Sequence, residues 1–377
     1  MPNVKPLRGS PSPPLKGLFL VAGADIPSTR YRVGQFLPHF RKHGIECTVR
    51  QAYGHEYGRW ASSGIGRPYK LACRVKRGLG GLDASRFDFV FFQKLAIAES
   101  ALFESLAMHR NPRAIFDFDD AIFLGPTGKP SLLRARAFDR VVAGCARIVA
   151  GNSFLAARAN AAEKTMIVPT VVDTTRYIPA NATADAEAYR RVQETSRSIV
   201  IGWMGTPSNF PFLRIALPAI RRILQRDRRV IFRIVSNTDF ADVAGIPQVE
   251  QLRWSADTEL RHLQSFDIGI MPLIDSALTR GKCGFKMLLN LATSCPVVAS
   301  AVGANIDILE GTGAGLLVRE AQDWDEALEP LVLDAPKRQE MGRMGRALVE
   351  TRYSVASVLN RYLEMFETMS LRGEPSK

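Results

Sequence analysis

A chain of 377 residues is long enough for two domains that each bury a core, and its 46% apolar content is that of a globular protein. The formal charge of +13 points to an anionic partner, whether nucleic acid, an anionic membrane or a phosphorylated small molecule. Five scattered cysteines (Cys47, Cys73, Cys145, Cys283, Cys295) without metal-type pairing favour a reduced, cytosolic protein, and no apolar run reaches membrane-spanning or signal-peptide length.

The proline-rich residues 1–15 read as a disordered tail. Gly17 to Ala22 is the first buried strand. Thr29 to His43 follows as a helix, with Ser28 as N-cap and Val33, Phe36, Leu37 and Phe40 at helical spacing. Ser28, Thr29, Arg30 and Arg32 then stand at a helix N-terminus facing a cleft. Surface charge is the plainer reading of the two arginines, although cations in a first turn oppose the helix dipole. Gly44 ends that helix and Ile45 to Val49 starts the second strand.

Residues 59–77 carry Arg59, Arg67, Lys70, Arg74, Lys76 and Arg77 and no carboxylate, with Leu71, Val75 and Leu79 every four positions. That pattern describes a short basic amphipathic helix able to lie on an anionic bilayer, or a merely solvated basic face. Phe87 to Gln93 is a buried strand, Ile97 to His109 a helix, and Ala114 to Phe118 a strand running into Asp117-Phe-Asp-Asp120. Three carboxylates at a strand end suit a general base or metal site, or a helix cap with a salt bridge to a nearby arginine. Helix Leu132 to Val142, strand Arg147 to Ala150, helix Phe154 to Ala162 and strand Thr165 to Val168 complete this half. Residues 179–197 are the linker.

A second alternation begins with strand Ile199 to Met204, the turn Gly205-Thr-Pro-Ser-Asn209 and helix Phe212 to Gln225. Strands Val230 to Val235 and Val249 to Leu252, helix Thr258 to Gln264 and strand Asp267 to Met271 lead to the basic loop Arg280-Gly-Lys-Cys-Gly-Phe-Lys286. Helix Phe285 to Ala292 and strands Pro296 to Ser300 and Gly315 to Val318 follow, then helices Asp323 to Leu333, Arg338 to Glu350 and Ser354 to Met369. Ligands of parallel α/β sheets bind at the carboxyl ends of strands, where this loop falls. Arg280, Lys282 and Lys286 supply charge there, and Gly281 and Gly284 allow close backbone approach, which suits a phosphorylated ligand. A solvated basic turn fits the same residues equally well. Gly205, Thr206, Ser208 and Asn209 form a second anion-attracting turn, or a plain helix cap. Two successive α/β halves indicate two doubly wound, Rossmann-like domains, at 16–178 and 198–351.

The motifs Ser28-Thr-Arg-Tyr-Arg32, Asp117-Phe-Asp-Asp-Ala-Ile122, Ala150-Gly-Asn152, Gly202-Trp-Met-Gly205 and Lys282-Cys-Gly-Phe-Lys286 before Pro296-Val-Val-Ala-Ser300 resemble a branch of the family 4 (group 1) glycosyltransferases. The resemblance implies a GT-B fold, with residues 352–370 as a helix crossing back to the N-terminal domain. It implies retaining transfer from a nucleotide-sugar donor to a saccharide or polyprenyl-linked acceptor, with no cofactor and no obligatory metal; a nucleic-acid partner is set aside because no helix-turn-helix, aromatic RNA-binding pattern or zinc finger appears. Donor binding would fall to Gly205, Thr206, Ser208, Asn209, Arg280, Lys282, Gly284, Phe285 and Lys286. Catalysis would involve Asp117, Asp119, Lys282 and Lys286, with Ser28, Thr29, Arg30, Arg32, Asp120 and Asn152 on the acceptor side. The two glutamates usual in that family are replaced here by Lys282 and Leu289. A GT-B scaffold that binds without transfer therefore stays open beside the enzyme, as does an epimerase or phosphorylase. The implied setting is cell-surface glycan synthesis in the cytoplasm, with contact of residues 59–77 to the membrane's inner face left open beside a solvated face.

Overall fold

The computed structural model describes residues 14–54, 66–182 and 198–371. The chain divides into two compact units. Unit 1 runs to Thr170 and takes in Gly281–Cys283 and everything from Val355; unit 2 comprises Val171–Arg280 and Gly284–Ser354. The predicted tail, the front of the basic segment (residues 59–65) and most of the predicted linker lie outside the described residues.

Unit 1 is built on a parallel sheet of β1 (Leu15–Val21), β2 (Ile45–Gln51), β3 (Phe89–Gln93), β4 (Ala114–Phe118), β5 (Arg147–Ala150) and β6 (Thr165–Ile167). Their order is β2-β1-β3-β4-β5-β6, so chain direction across the sheet reverses between β1 and β3. The helices are α1 (Pro27–Arg32), α2 (Leu37–Lys42), α3 (Gly66–Leu79), α4 (Leu102–Arg110), α5 (Leu132–Gly144) and α6 (Ser153–Ala159). Right-handed crossovers put α1 and α2 on one face of the sheet and α3 to α6 on the other. Strands β3 and β4 are buried along their whole length, which is why their sequences are apolar except for Gln93 and Asp117.

Unit 2 repeats the plan with β7 (Ile199–Met204), β8 (Val230–Ser236), β9 (Val249–Arg253), β10 (Ile268–Met271), β11 (Val297–Ser300) and β12 (Gly315–Val318). Their order, β12-β11-β10-β7-β8-β9, reverses direction between β7 and β10. The helices are α7 (Phe210–Arg226), α8 (Glu259–Gln264), α9 (Ala277–Arg280), α10 (Phe285–Ala292), α11 (Ala304–Leu309), α12 (Trp324–Leu333) and α13 (Ala335–Arg352). The last helix, α14 (Val355–Leu371), belongs to unit 1. Its Phe366 is fully buried and stacks on Phe89 with ring centroids 4.5 Å apart, and it meets Phe40 edge-on at 5.1 Å.

Four local readings need correction. The helix expected over 29–43 is broken into α1, a 3-10 turn at Gly34–Phe36, and α2. Pro38 explains the break, because it lacks an N–H and its ring collides with the carbonyl one turn earlier. Ser28 is not the N-cap; Ile26 precedes Pro27, which takes a first-turn position where a missing N–H costs nothing. The helix expected from Ile97 starts only at Leu102, after a turn closed by the Ile97–Ser100 bridge. Helices α9 and α11, with 4 and 6 residues, are too short to show a 3.6-residue period and went unread.

Candidate active site

Open α/β sheets bind ligands at the strand carboxyl ends where the order reverses. In unit 1 that point lies between the ends of β1 and β3. The Thr29 hydroxyl donates to Gln93 Oε1 at 2.6 Å and accepts from the Gly23 N–H at 3.3 Å, which ties α1 to both strand ends. Arg32, also on α1, reaches under the site. Its Nε lies 3.2 Å from each Asp117 oxygen, its Nη2 binds Asp117 as well, and its Nη1 donates to Val168 O at 2.6 Å. Burial alone would lower the Arg32 pKa, but the Asp117 charge and hydrogen bonds raise it, so the guanidinium stays charged. Both residues are enclosed, Asp117 at 0% exposure. Asp117, expected to take part in catalysis, is bound to Arg32 as a structural ion pair and presents nothing to a ligand.

The next residue beyond β3 is the one that sequence reasoning passed over. Lys94 has φ 57°, in the left-handed region that side-chain-bearing residues avoid. Surrounding groups enforce this turn. Arg77 of α3, buried, donates to Gln93 O at 2.7 Å and Lys94 O at 2.8 Å, and Glu104 accepts the Ala96 N–H at 2.7 Å. The Lys94 N–H donates to Asp117 O at 2.8 Å. The turn aims the ammonium at three oxygens: Asp119 Oδ1 at 2.8 Å, Ser28 Oγ at 2.9 Å, and Asp120 Oδ2. Burial works against the Lys94 charge, but Asp119 and Asp120 outweigh it and raise the pKa. Burial likewise pulls the Asp119 carboxyl up. Lys94 and Arg32, with hydrogen bonds from Lys94 and Ser28, overrule it and hold Asp119 below the usual range. Of the three carboxylates expected to act together, only Asp120, 48% exposed, is open to a ligand; Asp119 is 11% exposed. Among the described residues, no group of three His, Cys, Asp or Glu is gathered as a metal site. Arg30 packs over the Tyr31 ring, 4.5 Å from its centroid, and hydrogen-bonds the Tyr31 hydroxyl.

The stretch Gly281–Cys283 also belongs to unit 1. Asn152 accepts the Leu155 N–H at 2.8 Å as N-cap of α6 and donates to Lys282 O at 3.0 Å. The Cys283 thiol donates to Asp119 O at 3.3 Å. A Cβ on Gly151 would sit 2.4 Å from that sulfur, and one on Gly281 would sit 2.8 Å from the Ala121 Cβ, so the close approach requires both glycines. Asn152 therefore holds the backbone of the lysine loop in place.

In unit 2 the reversal point lies between the ends of β7 and β10. Gly205 ends β7 there, and its N–H, expected to meet phosphate, donates to Val235 O at 3.0 Å instead. The Lys286 ammonium lies 5.3 Å from the Trp203 ring centroid. A Cβ on Gly205 would come within 2.5 Å of the Trp203 ring and 2.6 Å of Lys286 Nζ, so glycine is what lets the lysine lie against strand and indole. Gly284 has φ 63° as N-cap of α10, whose first residues are the half-buried Phe285 and Lys286. Thr206 and Ser208 hydroxyls are 2.9 Å apart and Asn209 Nδ2 donates to Thr206 Oγ1 at 2.8 Å, a polar turn with both hydroxyl residues exposed. Arg280 is drawn to Asp275 through Nε at 2.7 Å and Nη2 at 2.6 Å. Leu289, where a glutamate was expected from the resemblance, is 4% exposed on the inner side of α10.

The family described as "Glycosyl transferases group 1" matches residues 198–334. No curated protein matches the sequence. Among solved structures, the Rickettsia africae glycosyltransferase superposes with a TM-score of 0.71 at 14% identity, covering 96% of this chain and 100% of that one. Anabaena HepE in complex with UDP and glucose gives 0.65 at 15% identity, covering 94% and 100%. Sucrose-phosphate synthase from Thermosynechococcus elongatus gives 0.70 at 12% identity, covering 96% and 100%. The fold is GT-B. Its two parallel sheets each carry a polar cluster at the reversal point, Lys94–Asp119–Asp120 in unit 1 and Trp203–Gly205–Lys286 in unit 2.

Proposed function

We propose that the protein is a glycosyltransferase that moves a sugar from a nucleotide-sugar donor to a saccharide or lipid-linked acceptor, in the building of a cell-surface glycan. The observation that carries this reading is Lys286, held over the Trp203 indole beside Gly205 at the reversal point of unit 2, inside the stretch matched by the glycosyl transferase family. Anabaena HepE, solved in complex with UDP and glucose, supports a nucleoside diphosphate as the group that Lys286 attracts.

Unit 2 holds the donor and unit 1 the acceptor. As the bond from the anomeric carbon to the diphosphate oxygen breaks, the sugar gains oxocarbenium character and the leaving diphosphate gains negative charge. Lys286 and Lys282 stabilise that charge, with the Gly284 amide at the start of α10. The reading assigns this task to basic residues rather than to a metal ion. The acceptor oxygen forms the new bond on the face the diphosphate leaves, so configuration is retained, and its proton passes to the departing phosphate. Asp120, the open carboxylate of unit 1, orients the acceptor hydroxyl; Lys94, Asp119 and Ser28 fix Asp120 and the loop around it.

The test is calorimetric titration of nucleoside diphosphates and nucleotide sugars, in the presence of EDTA, into wild type and Lys286→Ala. One nucleotide diphosphate should bind, and Lys286→Ala should weaken it. Removing a charge-stabilising donor of this kind should also lower kcat by roughly 10²–10³. A Lys286→Ala protein that binds and turns over donor like wild type refutes the diphosphate assignment. Binding without transfer or donor hydrolysis points to the binding scaffold that Leu289 and Lys282 leave open.

A further inference from the structure

Exposed leucines gather on one side of unit 1. Of the large apolar side chains exposed among the described residues, all but Ile167, Ile274 and Leu333 lie between residues 71 and 133, on α3, α4, α5 and the turn after α3. These three helices cover the same face of the sheet, and α4 packs against both α3 and α5. On α3, Leu71 and Leu79 are 54% and 50% exposed; Leu102 and Leu106 on α4 are 59% and 38%; Leu132 and Leu133 at the start of α5 are 65% and 60%. Within α3 and α4 the spacing is four or eight residues, so each helix turns one leucine row outward. Leu102, Leu132 and Leu133 sit near the first turns of helices that leave the carboxyl edge of the sheet. That is the edge carrying Lys94, Asp119 and Asp120.

Charge on this face is one-sided. Helix α3 carries Arg67, Lys70, Arg74 and Lys76 outside the core and no carboxylate. Arg77, the remaining cation of the predicted basic face, does not belong to it, because it is buried under β3. Helix α5 adds exposed Arg136 and Arg140, and its one carboxylate, Asp139, is engaged by Arg158. The single carboxylate of α4, Glu104, is buried. Isolated exposed leucines are ordinary on protein surfaces, but exposed leucines on three adjacent helices among cations that outnumber the carboxylates of those helices are not.

We infer that the outer face of α3, α4 and α5 is a docking surface for an anionic lipid bilayer, with the leucines entering the headgroup boundary and the cations meeting lipid phosphates. Apolar side chains flanked by Lys and Arg, without spanning length, are what interfacial binding requires, and among the described residues no helix is long and apolar enough to cross a membrane. The surface would present the carboxyl edge of the unit 1 sheet to a lipid-anchored acceptor. The choice of acceptor rests on the transfer reading above; the docking surface does not.

The experiment is co-sedimentation of the full chain, without donor or acceptor, with extruded vesicles of phosphatidylcholine alone or with about one-third phosphatidylglycerol, at about 0.1 M and about 0.5 M salt. Binding should require the anionic lipid and fall at high salt. Arg67→Glu/Lys76→Glu should weaken it by roughly five-fold or more per cation. Leu102→Ser/Leu132→Ser/Leu133→Ser should weaken it at least about ten-fold at unchanged salt. All five positions are exposed, so thermal unfolding should be unchanged in both variants. The inference is overturned if wild type ignores anionic vesicles, if the leucine variant binds as well as wild type, or if the leucines instead mediate a concentration-dependent dimer seen by sedimentation and lost in that variant. Vesicle binding that fails leaves sugar transfer to a soluble acceptor untouched. Transfer that fails leaves vesicle binding as measured.

Discussion

Lys94 provides the sharpest test of the unit 1 site. In Lys94→Ala the ammonium is lost from Asp119 Oδ1 (2.8 Å), Ser28 Oγ (2.9 Å) and Asp120. Breaking a buried pair by removing one partner costs about 3–5 kcal/mol. Asp120 is half-exposed and water can relieve it, whereas Asp119 is enclosed, so the lower end, about 3 kcal/mol, applies. Backbone strain separates this from a simple loss of charge. At φ 57° a side chain costs about 1–2 kcal/mol that glycine does not, so Lys94→Gly should be more stable than Lys94→Ala by about 1 kcal/mol. The pH dependence has a definite sign. In wild type the Asp119 carboxyl is held below its unfolded value, so it contributes stability that is present above about pH 4 and lost as pH falls through the folded pKa. Without Lys94 the largest charge opposing burial is gone and the Asp119 pKa rises, so the variant holds its enclosed carboxylate less favourably at neutral pH. The gap between wild type and Lys94→Ala should therefore narrow as pH falls from 7 toward 4. Urea unfolding across that range measures it. A gap below about 1 kcal/mol at pH 7, a gap that widens on acidification, or a glycine variant no more stable than the alanine one would refute the reasoning.

Other expectations follow from the same geometry. Phe366→Ala removes a fully buried ring from the cluster with Phe19, Phe40 and Phe89 and should cost about 3–5 kcal/mol in equilibrium unfolding; a loss under about 1 kcal/mol would mean that α14 does not seal unit 1. Gly205→Ala forces Lys286 and the Trp203 ring apart, and should cost about 1–3 kcal/mol and weaken nucleotide binding by calorimetry; unchanged binding would separate Gly205 from the donor site. Asp120→Asn keeps shape but removes charge. It should lower kcat by about 10²-fold while leaving the donor affinity in place, and a loss of donor affinity instead would move Asp120 out of the acceptor role.

Much of the architecture was legible because parallel strands are written as short, largely apolar runs. Ala114–Phe118, Ile199–Met204 and Gly315–Val318 have the bounds their sequences suggest, and helix Phe285–Ala292 likewise shows a clear start at Gly284. The polar pairings were less legible. Asp117 looked like a reactive carboxylate because its partner, Arg32, stands 85 residues earlier and meets it only through the fold. Lys94 went unnoticed because nothing local marks a left-handed lysine; the turn is imposed by Arg77 and Glu104 from two other helices. Its available signal was position, a cation one residue past a buried strand at the edge where such sheets bind ligands. Arg77 misled for the converse reason, since a basic run in sequence hides which member turns inward. Lys286 was legible because glycine, lysine and helix start coincide in one short stretch. Its companion Trp203 stands in the Gly202-Trp-Met-Gly205 motif, where nothing local marks the contact that pairs them.

The most direct test of the central claim is incubation of the purified protein with the nucleotide sugar it binds and with a panel of saccharide and lipid-linked acceptors. Products would be read by mass and by the proton coupling at the new anomeric centre. The account predicts an acceptor heavier by one sugar, a released nucleoside diphosphate and the donor's anomeric configuration, all sharply reduced in Lys286→Ala. Bound donor that is neither transferred nor hydrolysed would contradict it, and inverted configuration would contradict the retaining mechanism.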